Sequence, residues 1–310
     1  MMKVERFIKY QILKIKKEVD DQKAVVACSG GVDSVTCTIL GQKALGNNLV
    51  AVFIDDGLMR EGEPKEVVEL LRKFGVKTKL IRAQRRFFQA LKGKIDPEKK
   101  RKAFREVFYQ VLGETVKKEK AKFLIQGTIK ADVIETKGKI KTQHNVLEQI
   151  GINPKKYGLS IVEPLKALFK PDVRKVARNL GLPKEVWDRM PFPGPGLATR
   201  IVGEVTPKKT KIIRKATRIV EEELTKYFPF QAFAVLLADK ATGVTKGRRT
   251  FGNIIVIRSV DSKDVIKASV SKIPLAKLCQ IQRRIVGEVP EVNRVLFDLT
   301  PKPPATIEYI

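Results

Sequence analysis

The sequence is sparing in residues that mark several function classes, with one histidine, one tryptophan and three cysteines among its 310 residues. Cys28, Cys37 and Cys279 form neither a CxxC pair nor an even framework. That spacing excludes a zinc finger and a disulfide scaffold, and the three read as small core residues in a reducing compartment. No apolar run reaches the roughly 18 residues of a spanning helix, and the start, MMKVERFIKY, lacks a signal-peptide core. The expected location is the cytoplasm. Internal repeats and low-complexity tracts are missing too, and so is the Walker spacing GxxxxGK[ST].

Acidic residues are scarce beside basic ones, 34 against 62, which leaves a net charge of +28. So basic a chain attracts phosphates. Its lysines and arginines are spread along the chain, however, often beside glutamate, and no RNP-like aromatic motif accompanies them. Phosphorylated small molecules or an acidic partner protein suit the charge equally well. Abundant Lys and Glu also mark proteins from hot environments.

The apolar pattern that is present alternates between strand and helix. An amphipathic helix is expected over residues 3–19, and strands over 24–28, 49–54, 77–82 and 123–125. The strands at 24–28 and 49–54 are continuous apolar runs, which suit parallel strands buried on both faces. Helices are expected from Asp33 or Ser34 (as N-cap) to about Leu45, and over 64–74. A long basic helical region follows over 84–122, with Phe104, Val107, Phe108, Val111 and Leu112 at helical spacing. Residues 130–145 read as a long polar loop, which in a compact domain is often a functional lid. A short strand near 159–162 and a helix opening at Pro171 complete an α/β domain built on a doubly wound parallel sheet.

Three prolines and two glycines in residues 190–196 mark a linker near 190–199, dividing the chain into 1–190 and 191–310. Beyond it, a helix over 207–227 and strands near 232–237, 254–260 and 294–299 suggest a smaller C-terminal α+β domain. The tail, residues 302–310, has β-branched and aromatic residues suited to a final strand.

The chemistry centres on Ser29-Gly30-Gly31-Val32-Asp33-Ser34, which follows the strand at 24–28. A buried strand that stops at a serine and two glycines and resumes as a helix directs several backbone N–H groups into one concavity, a phosphate cradle. With no Walker lysine, the amides and the hydroxyls of Ser29 and Ser34 can hold the β- and γ-phosphates as a unit. Asp33 can help to hold a Mg²⁺ that neutralises them. The α-phosphorus is then the electrophile, and attack on it releases pyrophosphate.

This loop resembles that of the N-type ATP pyrophosphatases, which have an adenine-nucleotide alpha-hydrolase-like fold. Longer segments resemble the GMP synthetase family within that group: FIDDGL at 53–58, QGTI at 126–129 with DVIE at 132–135, VEPLK at 162–166, PFPGPGL at 191–197 and KPPATIE at 302–308. The resemblance runs from about residue 23 to the C-terminus. It implies a ligase that adenylates xanthosine monophosphate (XMP) with MgATP and lets ammonia displace AMP to give GMP. It places Ser29, Gly30, Gly31, Val32, Asp33, Ser34, Val35 and Ile54 at ATP, with Asp33 at the metal. Asp132, Glu135 and Lys141, in a lid, join Asp33 as catalytic residues. Arg101, Arg294, Lys302, Thr306 and Glu308 go to XMP. The C-terminal domain is implied to mediate homodimerisation.

The chain departs from that pattern in places. Where relatives often carry paired histidines it has Gln143-His144, and residues 241–251 look unlike many bacterial members. Only 22 residues precede Lys23, and no nucleophile elbow surrounds a cysteine. The expected partner is therefore a separate glutamine amidotransferase subunit that delivers ammonia. Two other readings stay open on the residues. One is a tRNA-modifying adenylating enzyme of the same fold, which would call for a reactive cysteine pair. The other is a non-enzymatic basic protein that binds nucleotide or nucleic acid.

Overall fold

Strands form where the sequence is apolar without interruption, and the most apolar of them lie at the centre of a sheet. The computed structural model describes residues 3–137, 159–245, 247–263 and 265–310. Two compact units divide it: Met1–Asp55, Gly62–Ala83 and Glu106–Arg189 make the first, and Asp56–Glu61, Gln84–Arg105 and Met190–Ile310 the second.

In the first unit, β1 (Ala24–Ala27), β2 (Leu49–Asp55), β3 (Thr78–Arg82), β4 (Phe123–Ile125) and β5 (Ser160–Val162) form one parallel sheet. Its order is β3-β2-β1-β4-β5. Every residue of β2 is buried, whereas the edge strands β3 and β5 are partly open, as expected when only central strands are covered on both faces. The doubly wound fold read from the sequence is present. The direction of strand addition reverses between β1 and β4, so the loops leaving these two strands border the crevice where such sheets bind ligands.

Helices α1 (Val4–Val19) and α2 (Val32–Leu45) belong to this unit, as does α3 (Glu63–Lys73). The N-cap of α2 is Gly31, with no side-chain cap bond, and not Asp33 or Ser34. The helix starts two or three residues earlier, and Ser34 turns its hydroxyl back to the Gly31 carbonyl, at 2.9 Å. The basic helical region at 84–122 consists of α4 (Gln84–Leu91) and α5 (Pro97–Glu119). Gly93, in the left-handed region at φ +70°, lies in the turn between them.

The polar segment expected as a loop opens instead with α6 (Lys130–Lys137). Its start is fixed by Asp132, whose Oδ2 accepts from the Ile129 N–H at 2.9 Å, the acidic half of a capping box. Lys141 and His144 lie outside the described residues. After β5 come α7 (Lys170–Asn179), with Pro171 in its first turn, and the short α8 (Lys184–Trp187).

The second unit is α+β. β6 (Gln231–Thr245), β7 (Arg248–Asp261) and β8 (Ser269–Val270) run antiparallel, and β9 (Val292–Phe297) lies parallel to β7. Helix α9 (Pro207–Leu224) begins at Thr206, whose hydroxyl accepts from the Lys209 N–H, and buries Ile212, Ile213, Ala216, Ile219, Val220 and Leu224. α10 (Leu275–Glu288) carries Cys279, which is exposed and so is not a core residue; Cys28 and Cys37 are buried.

Residues 190–199, expected as a linker, end in a 3-10 turn, Gly196–Arg200, whose residues are all buried. The tail makes a single bridge, Lys302 to Ala268, and not a strand. Pro301, Pro303 and Pro304 have no N–H to donate to a ladder.

Carboxylates of α9 and α10 form a network with nearby cations. Arg284 reaches Glu223 and Glu288 at 2.8 Å and Glu222 at 3.0 Å, and Lys277 reaches Glu223 at 2.8 Å. Arg218 links Glu61 and Glu222, at 3.2 and 3.6 Å. Networks of this kind contribute more than isolated surface pairs, most of all at high temperature.

Candidate functional site

The loop after β1 is a closed hydrogen-bonded turn. The Ser29 N–H donates to Ser34 Oγ at 3.1 Å, the two serine hydroxyls are also 3.1 Å apart, and the Ser34 hydroxyl donates to the Gly31 carbonyl. Gly30 takes φ +83°, and a Cβ there would come within 2.8 Å of Val67 Cγ2. Behind it Arg189 pairs with the buried Glu63 at 2.7 Å, and this pair backs the loop. On the other side a Cβ on Gly127 would lie 3.1 Å from backbone atoms of Asp33 and Ser34, so the loop after β4 rests directly on the start of α2. The first-turn N–H groups of α2, which have no intrahelical carbonyl to bond, point from this start. Val32, Val35 and Ile54, also assigned to ATP, are buried, Ile54 next to last in β2.

Asp33 sits in the first turn of α2 with its two oxygens in different states. Oδ2 accepts from Lys170 Nζ at 2.5 Å, and Oδ1 is buried with no hydrogen-bond partner among the described residues. Burial raises the pKa of this carboxyl, the Lys170 ammonium opposes the rise, and the negative charge of Asp132 adds to it. Asp33 and Asp132 are thus electrostatic neighbours, while Glu135 lies on α6. Lys170 and Arg174, one turn apart on α7, are cations that act on Asp33, and neither was legible as a site residue.

A divalent cation fits this chemistry in one way. Among the described residues no group of three His, Cys, Asp or Glu could hold a metal. The orphaned Asp33 oxygen can supply one ligand, and Mg²⁺ held by one carboxylate completes its shell with phosphate oxygens and water.

The residues assigned to XMP all lie in the second unit. Arg294 is exposed on β9, and Lys302 donates to the Val265 carbonyl at 2.7 Å. The Thr306 hydroxyl bonds the Glu308 carbonyl. The Glu308 carboxylate accepts from Gln231 and from Arg200 Nη2, the latter at 3.2 Å.

Two buried arginines that sequence reasoning missed organise this tail. Arg258 donates to the carbonyls of Thr300, Thr306 and Ile307 at 3.0, 2.7 and 2.9 Å, and pairs with Asp298 at 2.6 Å. Arg200, fully buried, lies with its guanidinium 4.2 Å from the Phe233 ring centroid and 4.8 Å from that of Phe192. A signal for Arg258 existed: it is the one charge inside the apolar run at 254–260.

Arg101 is paired with Glu98 at the surface of α5, while Lys100 beside it turns inward and donates to the Ile201 carbonyl at 2.7 Å. Burial, with Lys209 and Arg101 nearby, lowers the Lys100 pKa from its ordinary 10.5 to about 8. Below pH 8 the folded protein therefore carries the full cost of the buried ammonium, and that cost fades as pH rises towards 10.5. In urea titrations the wild type should gain stability relative to Lys100→Met between about pH 8 and 10.5. A pH-independent difference would contradict this environment.

The family pattern described as GMP synthase C terminal domain matches residues 217–309, and that described as NAD synthase matches residues 2–195. A glutamine-hydrolyzing GMP synthase subunit of Archaeoglobus fulgidus is 52% identical over 309 residues, covering 99% of this chain and 100% of that protein. The protein of the same description from Methanopyrus kandleri is 49% identical with full coverage of both chains, and that from Pyrococcus furiosus is 49% identical over 98% and 97%. With an NAD synthase-like ATP-pyrophosphatase fold in its first part and this C-terminal match, the chain belongs to the family of glutamine-hydrolyzing GMP synthase subunits.

Proposed function

We propose that the chain is the ATP-pyrophosphatase subunit of a two-subunit GMP synthetase of purine biosynthesis. It is a ligase that adenylates XMP with ATP, releases pyrophosphate, and aminates the intermediate with ammonia to give GMP and AMP. The observation that carries this reading is the Ser29–Ser34 turn at the strand-order reversal, backed by glycines that admit no side chain and ending in a half-paired Asp33.

The loop amides and serine hydroxyls hold the β- and γ-phosphates, leaving the α-phosphorus exposed to the C2 oxygen of XMP. Asp33 is the protein ligand for Mg²⁺, which when bound neutralises phosphate charge. Ile54 lies at the adenine. Asp132, Glu135 and Lys141 serve the adenylation step. Arg101, Arg294, Lys302, Thr306 and Glu308 recognise XMP, with Arg200 and Gln231 orienting the Glu308 carboxylate. The functional division falls at the 190–199 linker, the C-terminal part forms a homodimer, and a separate glutamine amidotransferase subunit delivers ammonia. No described helix is long and apolar enough to cross a membrane, and we assign the chain to the cytoplasm.

A thiolating tRNA enzyme is the weaker reading, because Cys28 and Cys37 are buried and Cys279 alone is exposed, so no accessible thiol pair exists. Incubation with XMP, MgATP and an ammonium salt should yield AMP, pyrophosphate and GMP. Without ammonium, adenylation alone is expected. Folded protein that releases no AMP in the complete mixture would sink the proposal.

A further inference from the structure

The ion pair at the cradle poses a question of charge. Lys170 Nζ occupies one oxygen of Asp33, the carboxylate proposed above for the divalent cation, and an ammonium and a metal ion on one carboxylate repel each other. The surroundings explain why a cation sits there. Asp33 is largely buried, one of its oxygens has no partner among the described residues, and the charge of Asp132 acts on it.

Lysine suits a temporary version of that task. Its ammonium is a point charge on a flexible four-carbon stem, not a rigid planar fork. Here the stem starts from the first residue of α7 and its side chain is 42% exposed, against 24% for Asp33. Arg174, four residues on, also acts on Asp33 from the same helix, so the site keeps a fixed positive charge if Lys170 moves.

We infer that Lys170 is a movable counter-ion. Without nucleotide its ammonium holds the Asp33 carboxylate in place, and when nucleotide arrives it shifts to the phosphate oxygens and leaves that carboxylate to the divalent cation. Lys170 is thus a positioning residue for Asp33 in one state and a phosphate contact in the other. It also keeps Asp33 from taking up a divalent cation with no nucleotide present. The inference rests on the reading of this loop as an ATP site, but not on XMP being the second substrate.

The test uses Mn²⁺ as the probe, with free ion followed by electron paramagnetic resonance and no nucleotide present. Lys170→Met should bind Mn²⁺ about tenfold more tightly than wild type, a difference of about 1.4 kcal/mol. Lys170→Arg, which keeps the charge, should stay near wild type, and adding Asp33→Asn to Lys170→Met should remove the gain. In a second arm, calorimetric titration with MgATP should show Lys170→Met binding about tenfold more weakly. Equal Mn²⁺ affinity in wild type and Lys170→Met, or unchanged MgATP affinity in that variant, would overturn the inference. Circular dichroism shows whether the variant folds, and Lys170→Gln serves in its place if it does not. A wild-type protein that made no GMP would leave both arms measurable.

Discussion

Replacing Asp33 by alanine should lower kcat by about 10³-fold or more while the fold survives, since losing one preorganised charged group at a phosphate site typically costs about 10²–10³ or more. Asp33 brings together what the reaction needs at one point: it follows the glycine turn, it sits in the first turn of α2, and one of its oxygens is buried with no partner among the described residues. The same burial means that ionised Asp33 stabilises the fold little, because desolvation raises its pKa against the pull of Lys170. The denaturation midpoint should therefore move only slightly. Asp33→Asn separates charge from shape, and it should be nearly as inactive as the alanine variant. Turnover of Asp33→Ala within tenfold of wild type would remove Asp33 from the assigned role.

Stability should respond most sharply at Gly196. This residue has φ +59°, and a Cβ there would stand 2.4 Å from the Leu58 carbonyl oxygen. That oxygen is already taken by the Leu197 N–H at 2.8 Å. An alanine would force apart two backbone segments joined by a hydrogen bond, and no side-chain rotation relieves a contact with a carbonyl. Left-handed strain costs about 1–2 kcal/mol and overpacking about 1–3 kcal/mol, so Gly196→Ala should destabilise by about 2–5 kcal/mol. A thermal midpoint lowered by about 5–20 °C is the corresponding readout. A midpoint within about 2 °C of wild type would show that the 56–61 segment yields easily.

The sequence carried the parts of this molecule that depend on local pattern. The apolar runs placed β1, β2 and β4 closely, because central strands of a parallel sheet must be apolar throughout. The loop at Ser29–Ser34 was legible because glycine there is a backbone requirement, visible in composition alone. What stayed hidden depends on pairing across distance. Lys170 reaches Asp33 over 137 positions in the chain, and as one of 62 basic residues it carried no distinguishing mark. Arg200 and Glu63 were equally silent, since burial of a charge is decided by a distant partner. At 190–199 proline and glycine signalled the break in regular structure but said nothing of the burial of Gly196–Arg200. Residues 130–137 were the ones that misled. Their polar composition suggested a loop, although Asp132 had the position to start a helix.

The division of the chain has a consequence for how the protein is made. The backbone enters the second unit three times, as Asp56–Glu61, Gln84–Arg105 and Met190–Ile310. During synthesis the last strand of the parallel sheet is available once Val162 has been added. By then Gly57 and Lys100 have long been translated, yet Arg214 and the Ile201 carbonyl, their partners, are still to come. Two early stretches must wait on the ribosome for the late half of the chain, and no single backbone cut yields either unit complete.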